Sequence, residues 1–96
     1  MKVMVIVKAN ADSEAGRMPS EQELSEMGAF NEQLVAAGIM LAGEGLHATQ
    51  RGRRIHFGSG APRVEAGPFG PAGDQIAGFW LWEVGSLEGA VEWASR

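Results

Sequence analysis

Two histidines are the residues in this 96-residue chain best suited to proton transfer near neutral pH, since the chain has no cysteine. His47 follows an apolar segment that contains Gly43 and Gly45, where a ligand could approach the backbone closely. His56 alternates with apolar neighbours in a predicted strand, and we expect it to be solvated. His47 is therefore the candidate general acid or base.

A histidine that acts in catalysis usually needs a carboxylate to orient it. Three acidic residues stand where their side chains could reach His47, namely Glu44, Glu65 and Asp74. Glu65 and Asp74 flank a loop rich in Gly and Pro, and nothing in the sequence fixes their direction. All three remain candidate ligand-binding residues.

Residues 64–84 combine this loop with an aromatic segment. Phe69 lies between Pro68 and Pro71, and Trp80 lies in the apolar run of residues 78–84. An aromatic side chain on a rigid loop beside an aromatic strand could form the wall of a binding site. Each aromatic could equally belong to the core, so Phe69 and Trp80 are candidates for ligand contact.

Several other kinds of site lack support in the sequence. Without cysteine, and with only two histidines, no metal-ligand spacing is present, and we expect no metal and no cofactor. Neither a phosphate-binding loop nor a serine-nucleophile elbow occurs. A basic cluster, Arg51, Arg53 and Arg54, could contact an anion, but at a hairpin tip we expect it to be solvated. The net charge of −4 argues against nucleic acid and anionic membranes as partners.

The apolar periodicity indicates the elements that position these residues. Residues 1–7 are predicted to form a strand, and residues 21–37 an amphipathic helix with a capping box at Ser20 and Glu23. Residues 10–19 are predicted to be a surface loop. Further strands are expected at residues 39–46, 54–57, 63–65 and 79–84, and a second helix, capped by Ser86, at residues 87–94.

This order of elements predicts one α+β domain over residues 1–96, a ferredoxin-like sandwich with helices on one face of an antiparallel sheet. The first and last strands carry apolar side chains on both faces. Because water does not cover such a surface well, the second face is expected to pack on another copy or to line an apolar cavity. No segment is long enough to span a membrane, and the N-terminal run is too short for a signal peptide, so we expect a soluble cytoplasmic protein.

The chain resembles the YCII-related proteins of the DGPF subgroup over residues 1–96. The resemblance is carried by residues 1–8, residues 36–47, the turn Gly67-Pro68-Phe69 and residues 76–80. It implies a dimeric α+β barrel, in which two ferredoxin-like subunits pack sheet to sheet and each has a cleft. Relatives in the wider superfamily include muconolactone-type isomerases and a dehydrochlorinase, for which a His and an Asp are the suspected pair.

Two departures from the subgroup pattern affect this reading. Ala66 stands where the subgroup usually has the Asp of its Asp-Gly-Pro-Phe motif, and members usually continue into a final strand, whereas this chain ends at Arg96. We therefore expect a homodimer that binds a small organic molecule near His47, Phe69 and Trp80. If it is an enzyme, we expect a cofactor-free isomerase, lyase or cyclase step. The alternative is a non-catalytic ligand-binding or protein-interaction module that has lost the motif carboxylate.

Overall fold

The chain forms five strands and three α-helices. The computed structural model describes residues 1–96. The strands are β1 (Lys2–Lys8), β2 (Met40–Gly45), β3 (Arg53–His56), β4 (Arg63–Ala66) and β5 (Ile76–Glu83), and the helices are α1 (Ala11–Glu14), α2 (Glu21–Ala36) and α3 (Leu87–Ala94). None of these helices combines the length and the apolar character that crossing a membrane requires.

The strands form a three-stranded sheet and a separate hairpin. In the sheet, β5 lies between β1 and β2 and is antiparallel to both, with Trp80 opposite Val5 on one side and Gly43 on the other. The hairpin pairs β3 with β4, with Arg54 opposite Glu65. The aromatic segment is thus the central strand, and it begins at Ile76, three residues earlier than predicted.

Both long helices pack on one face of the sheet. Leu34 of α2 and Ala90 of α3 form the buried core with Trp82 of β5, and Val3 and Val5 of β1 pack against that core. Burial of these side chains holds the two layers together. This arrangement confirms the predicted ferredoxin-like α+β fold.

The N-terminal caps of the helices agree only in part with those predicted from the sequence. The side chains of Ser20 and Ser86 accept hydrogen bonds from the third residue of their helices, at 3.1 Å in each case. The reciprocal bond that a capping box would require of Glu23 is absent. A complete box joins Asn10 and Ser13 instead, within the segment predicted as a loop, and it supports the short helix α1.

The buried stripe of α2 is narrower than its periodicity indicates. Leu24, Met27 and Val35 are exposed, and Leu34 is the one buried residue of the helix. The helical spacing of these apolar residues predicts that Met27 fills the core and that Phe30 lies near the edge of the stripe. Phe30 instead packs against the core cluster. The prediction for Met27 is wrong, because the core gathers around Trp82 and leaves Met27 exposed.

The other face of the sheet carries apolar side chains without a covering layer. Met4 and Ile6 of β1 are exposed, and their partners in register are Leu81 and Phe79 of β5, which are only partly buried. These four residues, Met4, Ile6, Phe79 and Leu81, are called the open sheet face below. They alternate along their strands with the side chains that face the helices.

Candidate functional site

A cleft of about 530 Å³ lies where three connecting segments meet. One wall is the segment from Leu46 to Arg54, which leads from the end of β2 into the first strand of the hairpin. The other wall contains Phe69, from the loop after the hairpin, and the residues from Asp74 to Ile76. A volume of this size is within the range of pockets that hold small organic molecules.

The segment after β2 is held in place by a residue that is distant in sequence. A single 3₁₀ turn spans Thr49–Arg51. The carboxylate of Glu14 in α1 accepts a hydrogen bond of 3.0 Å from the backbone N–H of Thr49 and another from its hydroxyl. Sequence reasoning missed Glu14, because no pattern links side chains that are 35 positions apart.

The turn Gly67-Pro68-Phe69 packs closely against this 3₁₀ turn. A Cβ atom on Gly67 would lie 1.8 Å from the carbonyl oxygen of Thr49, so the two backbones approach as only glycine permits. The N–H of Gly67 also donates to the carbonyl of Gly52 at 3.2 Å. The close contact fixes the position of Phe69, which follows two residues later and lines the cleft.

Arg54 of β3 lies over the ring of Phe69. Its guanidinium carbon is 4.4 Å from the ring centroid, a distance at which a cation is attracted to the face of an aromatic ring. This contact holds an aromatic ring and a cation side by side in the cleft.

His47 lies exposed on the cleft wall and forms a hydrogen bond with the guanidinium of Arg51. Its Nδ1 atom is 3.1 Å from Nη1 of Arg51. A guanidinium can only donate, so Nδ1 must accept and the proton of the neutral ring must be on Nε2. In this arrangement His47 offers an N–H donor to a ligand, and it acts as a general base only if that hydrogen bond is broken.

The three candidate carboxylates lie in three different places. Asp74 lines the cleft, in a 3₁₀ turn of residues 72–74. Glu44 is exposed on β2, opposite Phe79. Glu65 accepts a hydrogen bond of 2.7 Å from Nε2 of His56. None of them is bonded to His47.

The pairing of His56 with Glu65 corrects the expectation that His56 is solvated. The two side chains are each about one third exposed, at 37% and 35%. They lie on the same face of the hairpin, with Arg54 and Arg63 nearby. The hydrogen bond from His56, aided by its charge and by those of the two arginines, lowers the pKa of Glu65.

Trp80 lies apart from the cleft, although we expected it beside His47 and Phe69. Its position in β5 directs the side chain toward the helices, where Nε1 donates to Oδ1 of Asn31 at 2.9 Å. Its ring meets Phe30 edge to face, with centroids 5.8 Å apart. A second pocket of about 410 Å³ adjoins these rings and Trp82.

The basic cluster is part of the cleft, which sequence reasoning missed. Arg51, Arg53 and Arg54 line it, because Arg51 precedes the hairpin and Arg53 and Arg54 begin its first strand, at its base instead of at its tip. None of the three is within 4.0 Å of a carboxylate. The cluster could be identified from the sequence, but its position in the cleft could not, because that position depends on β3 beginning at Arg53.

Comparison with known protein families identifies a match over the full length of the sequence. The YCII-related domain family matches residues 1–96, the whole of the chain. None of the curated proteins compared with the chain matches it.

Proposed function

This chain belongs to the YCII-related family, and from that premise we propose that it binds a small organic molecule in the cleft between His47 and Phe69. The observation that carries the proposal is the convergence of an aromatic ring, an imidazole donor and a carboxylate, Asp74, on one cleft of about 530 Å³. Ligand sites commonly combine apolar walls with a few placed polar groups in this way.

We favour ligand binding over catalysis because the hydrogen-bond partner of His47 is a cation. A general base needs a free ring nitrogen and a carboxylate to orient it, whereas the partner of His47 is Arg51. With the motif position occupied by Ala66, no carboxylate supplies that role. The arrangement favours a non-catalytic ligand-binding module.

An acid–base reaction is the second candidate, favoured by the presence of Asp74 in the same cleft. His47 would donate a hydrogen bond from Nε2 to a substrate oxygen and stabilise the negative charge that develops there, while Asp74 would accept a proton from a substrate carbon and return it to another position. A cofactor-free isomerase, lyase or cyclase step needs only these two groups. Turnover of a bound compound by the native chain, abolished in Asp74→Asn, would distinguish this candidate from simple binding.

We further propose that the chain is a homodimer joined through the open sheet face. The surface area of one chain is 6874 Å², whereas a folded chain of this length should expose roughly 5,300 Å². Only four apolar residues are buried in the single chain. The excess of roughly 1,600 Å² exceeds the roughly 800 Å² that each partner buries in an ordinary stable interface, so pairing of two sheets would supply the missing core.

A fragment screen by thermal unfolding tests the binding site. Compounds that raise the melting temperature of the native chain should lose this effect in Phe69→Ala, since a ligand stabilises only the fold to which it binds. Phe57→Ala is the matched control, because Phe57 is exposed at the tip of the β3–β4 hairpin and does not line the cleft. Stabilisation that persists in Phe69→Ala would contradict the proposed site.

A further inference from the structure

The cleft has an excess of positive charge. Its charged side chains are those of Arg51, Arg53, Arg54 and Asp74, although the chain as a whole has a net charge of −4. Acidic residues are therefore abundant, yet none forms an ion pair within 4.0 Å with any of the three arginines. The chain's four ion pairs use other cations, those of Met1, Arg17, His56 and Arg96.

Most hydrogen-bond donors of these arginines are free. A guanidinium has five N–H groups arranged in a planar fork. Arg51 uses one of its groups for His47, and Arg53 uses one for the carbonyl of Gly52 at 2.8 Å. Arg54 makes no hydrogen bond through its guanidinium and instead lies over the Phe69 ring. The contacts that position these side chains thus leave most of their guanidinium N–H groups free to donate hydrogen bonds to a ligand.

Free guanidinium forks match the oxygen atoms of carboxylates and phosphates, to which they donate two parallel hydrogen bonds. The Phe69 ring beside Arg54 would contact the flat or apolar part of the same molecule. His47 adds a further donor from Nε2. We infer that the ligand of this cleft is an organic anion, whose carboxylate or phosphate group is held by Arg51, Arg53 and Arg54 and whose body lies against Phe69. This inference rests on the proposed small-molecule site.

The probes that test it are benzoate, benzyl phosphate and the neutral analogue benzamide, each titrated into the ¹⁵N-labelled native chain. The Nε–Hε signals of the cleft arginines should shift saturably with one or both anions. Charge-assisted hydrogen bonds of this kind correspond to a loss of about ten- to hundredfold in affinity in Arg51→Gln and in Arg54→Gln. The tighter of the two anions identifies the acidic group.

Arg63→Gln is the matched control, because Arg63 belongs to the same hairpin and has no carboxylate within 4.0 Å, but lies outside the cleft. It should bind the anions with unchanged affinity. Equal binding of benzamide and benzoate, unaffected by Arg51→Gln, would overturn the inference and leave the small-molecule site standing. If neither the probes nor any compound from the fragment screen perturbs cleft signals, the inference and the proposed function both fail.

Discussion

Nδ1 of His47 lies 3.1 Å from Nη1 of Arg51, so the histidine of the cleft is held by a cation. A histidine oriented by a carboxylate donates from Nδ1 and leaves Nε2 free to accept a proton. The orientation at His47 is the reverse, with Nδ1 accepting and Nε2 protonated. Because of this contact, His47 is better suited to donate a hydrogen bond to a ligand oxygen than to remove a proton from a substrate.

The tautomer of His47 provides the first prediction. At pH 8 the neutral ring should carry its proton on Nε2, because Arg51 occupies Nδ1. Long-range ¹H–¹⁵N correlation spectra identify the protonated nitrogen directly. Arg51→Gln should change the chemical shift of Nδ1, whereas Arg63→Gln should not. A proton found on Nδ1 in the native chain would show that the Arg51 contact is not formed.

Gly67→Ala should damage the cleft by forcing two backbones apart. Its Cβ atom would lie 1.8 Å from the Thr49 carbonyl oxygen, which is backbone and cannot turn away. We expect the free energy of unfolding to fall by about 2 kcal/mol or more, with ligand binding weakened as well. Chemical denaturation measures the first effect.

The control for that substitution is Gly73→Ala, at a site where no atom lies within 4 Å of an added Cβ. Its unfolding free energy should stay within about 0.5 kcal/mol of the native value. Equal losses in the two variants would mean that Gly67 is not in close contact with Thr49.

Glu65 should give the chain a pH dependence in the acid range. The hydrogen bond from His56 holds the pKa of this carboxyl below its ordinary value of 4.5. The folded chain therefore favours the charged form, and the stabilising contribution is present above pH 4.5 and lost as the pH falls through the lower folded pKa. Carboxyl ¹³C titration should give a Glu65 midpoint below 4.5.

His56→Ala should move that midpoint up toward 4.5, because it removes both the hydrogen bond and the charge. His47→Ala is the matched variant, since it removes the other histidine and should leave Glu65 as it was. A native midpoint at or above 4.5 would contradict the pairing.

A single substitution that introduces a charge tests self-association through the open sheet face. Ile6 lies opposite Phe79 on that face, and Ile6→Glu would bury a carboxylate without a partner if two sheets pack together. We expect light scattering to find a dimer for the native chain and a dissociation constant raised by about a hundredfold or more in the variant. Met18→Glu, at an exposed position outside the sheet, should leave the dimer intact. A native monomer at micromolar concentration would refute the dimer.

The elements with a strong local signal could be predicted from the sequence. Ser86 and the stripe after it indicated α3 with the bounds that the structure has, and Ser20 marked the start of α2. The short helix α1 was missed because four residues carry no readable period. Its cap depends on two small polar side chains, which also occur in ordinary loops.

The cleft was harder to predict, because it depends on contacts between distant segments. His47, Phe69 and Asp74 were identified by residue type and loop position, and the structure brings them together. Trp80 was grouped with them because it follows the same loop, but the alternation of β5 directs it to the helix side. The support from Glu14 is a tertiary contact without a sequence signature.

Amide NMR of the native chain, titrated with compounds selected by the fragment screen, tests most directly that the functional site is the cleft. We expect saturable shifts in residues 46–54 and at Phe69 and Asp74, which are lost in Phe69→Ala. Shifts confined to Phe30, Trp80 and Trp82 beneath the helices, with the cleft unperturbed, would contradict it.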